Sequence, residues 1–128
     1  MKLLIFSYFM LASFGASAEC WVVKDMKGAN YAARNGYAFE NDGFSGTFMI
    51  SVDGKKASVR YSGNDAGGVE YGVISPNTIV GISDGENGKL IETWFISPDG
   101  NVKMTKMING FGDFDSVKAM VGKVSGKC

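Results

Sequence analysis

Apolar and polar residues alternate most clearly in TFMISVDGKKASVRY, residues 47–61. Side chains on a strand point alternately to the two faces of the sheet. Two alternating runs flank Asp53-Gly54, and Asp-Gly favours a two-residue hairpin loop in which both central residues take positive φ. That loop predicts pairing of Val52 with Lys55, Ile50 with Ala57 and Phe48 with Val59. One face then carries Phe48, Ile50, Val52, Ala57 and Val59. The other carries Met49, Ser51, Lys56, Ser58 and Arg60.

The second clear pattern is KLIETWFISPDGNVKMTKMI, residues 89–108. Ser97-Pro98-Asp99-Gly100 suits a type I turn closed by a left-handed glycine, the three-residue hairpin loop. The resulting register is Ser97 with Asn101, Ile96 with Val102, Trp94 with Met104, Glu92 with Lys106 and Leu90 with Ile108. It gathers one apolar face and sets the acid Glu92 opposite the base Lys106. A two-residue loop would set Glu92 against Met107, so the three-residue loop is the consistent choice.

GVEYGVI and NTIVGIS, joined by Ser75-Pro76-Asn77, read as two more strands, and ECWVVKD reads as the first. Residues 26–46 carry the weakest signal, with one strand expected around Tyr37–Glu40. Val117, Met120, Val121 and Val124 have helical spacing, which predicts a short helix near residues 115–120 and a final strand near 121–127. These elements make an all-β domain: a small antiparallel meander, barrel or sandwich, of six to eight strands.

The first residues change the picture of where this domain works. Lys2, the apolar run from Leu3 to Phe14 and the small-x-small triplet Ala16-Ser17-Ala18 form a secretory leader, with cleavage expected after Ala18. The run is about a dozen residues, short of the roughly 20 that span a bilayer. Residues 19–128 remain as a single β domain, expected to be secreted or periplasmic and free of the membrane once the leader is cut.

Two cysteines remain, Cys20 and Cys128, at the extreme ends of that domain. An even count in an oxidising compartment predicts a disulfide between them. In the chain-entropy picture, closing a loop of about 100 residues stabilises the fold by roughly 4–5 kcal/mol.

Composition narrows the chemistry. The 128 residues include 18 glycines, scattered beside Asp, Asn and Ser as turn punctuation. Without Lys2, 12 basic face 13 acidic residues, so the domain is near neutral and shows no nucleic-acid footprint. The chain contains no histidine. Histidine-based triads, Cys-His pairs and histidine metal sites are therefore excluded. No phosphate-loop or dinucleotide motif occurs, and the acidic loops SDGENGK and SPDGN lack calcium-loop spacing. No cofactor or metal is expected.

Carboxylates are the remaining catalytic candidates, Glu92 with Asp113 and Asp115 in FGDFD. The plainer reading makes Glu92 and Lys106 a structural ion pair and the aspartates turn caps. Aromatics outside the assigned core faces are candidates for recognition: Tyr31, Tyr37, Phe44, Phe111 and Phe114. The expectation is a small non-enzymatic protein-binding module of inhibitor or immunity type, whose partner is another extracytoplasmic protein. The alternatives are a barrel that carries a small apolar ligand and, behind it, a carboxylate-based hydrolase.

Overall fold

The computed structural model describes residues 18–65 and 69–128. The leader expectation, Ala18 apart, lies outside the described residues. The described residues form ten strands: β1 (Glu19–Ala32), β2 (Phe39–Phe44), β3 (Phe48–Asp53), β4 (Lys56–Tyr61), β5 (Asn64–Asp65), β6 (Glu70–Ser75), β7 (Thr78–Asp84), β8 (Lys89–Ile96), β9 (Asn101–Asn109) and β10 (Ser116–Lys127). All pairings are antiparallel, and β10 returns to pair with β1. Eight strands thus close an up-and-down barrel in the order β1, β3, β4, β6, β7, β8, β9, β10. Two strands lie outside the barrel: the two-residue β5, which pairs with the end of β4, and β2. β2 pairs with the second half of β1, and β3 pairs with the first half, so β2 and β3 run end to end along one neighbour.

The barrel has two unlike ends. One end holds the tight turns β3–β4, β6–β7 and β8–β9, together with the start of β1 and the end of β10. Here Cys20 and Cys128 form the expected disulfide, with Cα atoms 5.2 Å apart, and the Cys128 N–H donates to the Cys20 carbonyl. The other end holds longer connections, among them 33–38, 85–88 and 110–115. Two of these contain short 3-10 turns, Ala33–Asn35 and Gly112–Phe114.

An eight-stranded barrel is just wide enough for its interior to be filled by side chains. Trp21, Val23, Met26, Phe48, Ile50, Val52, Val59, Ile79, Trp94, Ile96, Val102, Met104 and Met120 form that core. Phe48 on β3 and Trp94 on β8 meet across the interior with ring centroids 5.0 Å apart.

The β8–β9 hairpin has the register read from its turn: Trp94 opposite Met104, Glu92 opposite Lys106 and Leu90 opposite Ile108. Gly100 takes φ 86, and the Ser97 N–H donates to the Asn101 carbonyl. The β3–β4 hairpin differs from expectation. Its pairs are Phe48 with Tyr61, Ile50 with Val59 and Val52 with Ala57. The loop is Gly54-Lys55, led by Gly54 at φ 62, so Asp53 stays in the strand and pairs with Lys56. The displacement is two residues. Since side chains alternate with period two, Phe48, Ile50, Val52, Ala57 and Val59 still share the inner face.

The short helix expected near residues 115–120 is absent. The helical turn lies earlier, at Gly112–Phe114, and β10 starts at Ser116. Met120, Gly122 and Val124 point inward and Val117 and Val121 outward, as strand alternation requires. The apparent helical spacing came from counting valines of both faces as one. β2 begins two residues later than the expected strand at Tyr37–Glu40 and runs on to Phe44.

Candidate functional site

Glu92 lies inside the barrel, 5% exposed, one inward step from Trp94 on β8. A buried carboxylate is costly unless its oxygens are satisfied. Here three groups satisfy them. The Tyr71 hydroxyl donates to Oε1 at 3.0 Å and the Trp94 indole N–H donates to the same oxygen. Lys106 Nζ stands 3.5 Å from Oε2. The expected ion pair is therefore present, as part of a larger cluster.

Cross-strand register explains the cluster. Tyr71, Gly81, Glu92, Lys106, Lys118, Asn30 and Glu40 are successive partners on β6, β7, β8, β9, β10, β1 and β2. They form one polar row on the inner wall, above the apolar row that contains Ile79, Trp94, Met104 and Met120. Gly81 makes the Tyr71–Glu92 bond possible. A Cβ on Gly81 would lie 2.5 Å from the Tyr71 ring, so any side chain there would push the phenol off its acceptor. Burial, and then the Glu92 carboxylate, push the Tyr71 phenol far above its ordinary pKa, which keeps it a neutral donor.

The row continues through Lys118, which bonds Asp42 on β2. Burial acts to raise the Asp42 pKa. The hydrogen bond from Lys118, the Gly43 N–H and the charges of Lys118 and Arg34 together outweigh it and leave the carboxyl below its ordinary value. Asn30 is buried, and its Oδ1 accepts no hydrogen bond from the described residues. With both oxygens of Glu92 occupied and its side chain enclosed, this row fits a structural role.

The second candidate region is the end with the longer connections. The Ala33 N–H donates to the Asp115 carbonyl at 2.8 Å, which ties the 33–38 loop to the 110–115 loop. The Phe111 ring lies against the backbone of Gly88, which ties in the 85–88 loop. Asp115 Oδ1 accepts the Phe111 N–H at 2.7 Å, so this aspartate caps its turn. On this platform Phe114 is 73% exposed, Tyr37 52% and Phe111 50%. Tyr37 also holds a left-handed backbone, φ 60, which is uncommon for a bulky side chain.

Two of the sequence candidates lie on strands. Tyr31 is on the outer face of β1, edge-to-face with Phe39 directly opposite on β2, ring centroids 6.0 Å apart. Phe44 stands apart from the other four. It packs against Phe48 at 5.1 Å and Tyr61 at 5.5 Å and belongs to the core's margin. Phe39, which belongs to the same early group of aromatics but is not among the five candidates, is 59% exposed.

The outer wall beneath this end carries a row of its own. Ile82, Ile91, Met107, Val117, Tyr31 and Phe39 are successive cross-strand partners on β7, β8, β9, β10, β1 and β2. All but the half-buried Met107 are exposed. Among the described residues no helix is long and apolar enough to cross a membrane, and no group of three or more acidic or cysteine side chains could hold a metal ion. No model of a known protein family matches the chain, and neither does a curated protein or a solved structure.

Proposed function

We propose that this chain is a small non-enzymatic protein-binding module that works outside the cytoplasm and grips another extracytoplasmic protein with the loop end of its barrel. The observation that carries this reading is the cluster of solvent-facing aromatics, Tyr37, Phe111 and Phe114, on two of the three loops packed into one platform. Large rigid side chains give contact area at low entropic cost, and buried aromatics dominate the energy of protein interfaces. A left-handed Tyr37 adds support. Such a conformation costs about 1–2 kcal/mol, which the fold spends on presenting a side chain that contributes little to the core.

The disulfide is compatible with an oxidising compartment, and it lies at the far end, where it stiffens the scaffold without crowding the platform. The carrier reading is less well supported. The Phe48–Trp94 contact crosses the space a ligand would occupy. The hydrolase reading is weaker again, because Tyr71, Trp94 and Lys106 already engage Glu92.

The test is capture. The mature domain, immobilised through a residue near Cys20, is exposed to extracytoplasmic proteins beside a Phe111→Ala/Phe114→Ala variant of equal thermal stability. A protein retained by the parent and lost from the variant is the expected result. Equal retention by both would refute the platform, and a lipid or pigment released on denaturing the parent would favour the carrier.

A further inference from the structure

The aromatic platform has a distinct charge. Residues 33–40, 84–89 and 110–116 hold five carboxylates, Glu40, Asp84, Glu86, Asp113 and Asp115, against Arg34 and Lys89, a net of −3. The rest of the chain from residue 19 onward holds 10 basic and 8 acidic residues, a net of +2. Both cations of the platform are engaged locally, Arg34 with Glu40 at 3.1 Å and Lys89 with Asp84 at 3.4 Å. Glu86, Asp113 and Asp115 supply the remaining negative charge at the rim.

The apolar surface beneath is continuous with this rim. The outer row from Ile82 to Phe39 runs directly under the three loops. A shallow groove on the outside of β6 and β7 extends it and brings in Glu70, Ile74, Ile82 and Asp84. Lysines of the outer wall stand two rows lower, where Lys103 and Lys27 flank Val121 on the neighbouring strands. The surface therefore has an apolar and aromatic centre, an acidic edge, and its positive charge set back from it.

We infer that the loop end docks a cationic protein surface, with apolar side chains of the partner seated among Phe111, Phe114, Val117, Tyr31 and Phe39 and its lysines or arginines meeting Glu86, Asp113 and the neighbouring acids. This rests on the reading of the loop end as a binding platform and adds the chemistry of the partner. Opposite charge across an interface steers encounter and rejects like-charged partners. The same charge disfavours two other occupants. A second copy placed face to face would oppose one acidic rim to another, and an anionic membrane would repel it.

The inference is tested on the mature, disulfide-bonded domain by mapping amide chemical-shift changes on adding a basic protein of known structure, ribonuclease A. Succinylated ribonuclease A, in which lysines have become acids, is the control. The expected result is shifts confined to residues 33–40, 84–89 and 110–117 with the native probe, lost at high salt and absent with the succinylated one. Glu86→Lys/Asp113→Lys should weaken the interaction about tenfold, since an attraction at each position becomes a repulsion. Equal shifts with both probes, no shifts at low salt, or self-association through these residues in sedimentation at low salt would each overturn the inference. The capture experiment separates the two levels. A partner lost from the aromatic variant but acidic or neutral in charge would leave the platform standing and refute its cationic partner.

Discussion

The two ends of this barrel solve different problems with the same eight strands. At the closed end the strands are joined by minimal turns, the interior is packed with Trp21, Val52, Ile96 and Val102, and a disulfide ties the start of β1 to Cys128 after β10. At the loop end the inner wall carries Glu92, Lys106, Lys118 and Asn30, and large apolar side chains face solvent on the loops and outer wall. A protein that only had to fold would place its aromatics inside and its charges outside throughout. The closed end follows that rule and the loop end partly inverts it, and departures from local consistency are expected where a surface has another task. On the proposed reading of the loop end, stability and recognition are divided along the barrel axis, and mutation should separate them.

The largest effect should come from the staple. Cys20→Ser with Cys128→Ser removes the cross-link over a sequence separation of 108. In the chain-entropy model that costs about 4–5 kcal/mol, a large share of the 5–15 kcal/mol that holds a domain together. Denaturant unfolding should show a much lower midpoint. Where the variant remains folded, the loop-end amides should keep their chemical shifts. A variant that unfolds with unchanged midpoint would mean the closed end is held by its core alone.

Next in size is the inner polar row. Exchanging the charges of an ion pair often preserves it, but Glu92→Lys with Lys106→Glu should not recover stability here. Tyr71 and Trp94 both present donors at position 92, and a lysine there accepts from neither. Glu92→Gln retains an acceptor for those donors and loses only the charge opposite Lys106. It should cost about 1–2 kcal/mol, the range of a charge-assisted bond exchanged for a neutral one. Full recovery in the charge-swapped double mutant would show that Lys106 alone satisfies Glu92.

These outcomes bear on what could be read from the chain. The β8–β9 register was legible because its turn chemistry, alternation and the single acid–base match agreed. The β3–β4 faces were legible while their register was not, since parity fixes the face and Asp-Gly fits more than one loop position. The disulfide followed from the cysteine number and the expected compartment. Residues 26–46 were opaque for a physical reason: β1 bends at a bulge near Asp25, whose φ is 58, and changes partner from β3 to β2, so no single alternation runs through it. The partners of Glu92 beyond Lys106 were also hidden. Tyr71 reaches it across Gly81, and a strand two places away in the sheet leaves no local signal.

Acid should weaken the loop end's inner wall in a defined window. Asp42 holds a pKa below its ordinary value of 3.8, so it stabilises the fold above that value and the contribution is lost as pH falls through the folded-state pKa. Asp42→Asn should cost about 0.5–1 kcal/mol near neutral pH, a modest figure because the pair with Lys118 is partly solvated. Below about pH 4 the difference between parent and variant should shrink, and it should vanish once the pH lies below the folded-state value. A constant difference across the acid range would place the effect of the substitution in packing.

The smallest stability effect, and the sharpest use of the comparison, belongs to Phe114. Its ring is 73% exposed, so Phe114→Ala gives up little buried area and should change folding stability by no more than about 0.5 kcal/mol. Phe44→Ala is the matched control. The same ring at Phe44 packs on Phe48 and Tyr61, and its loss should cost about 2–3 kcal/mol, somewhat less than a fully buried phenylalanine. Partner retention should rank the two in reverse. A central aromatic of an interface contributes about 2 kcal/mol or more, so Phe114→Ala should weaken binding roughly thirtyfold while Phe44→Ala, measured well below its unfolding temperature, leaves it nearly unchanged. If Phe114→Ala instead lowers the unfolding midpoint as far as Phe44→Ala does and spares binding, the exposed ring is a cap on the barrel, and the division between a stabilising end and a recognising end fails.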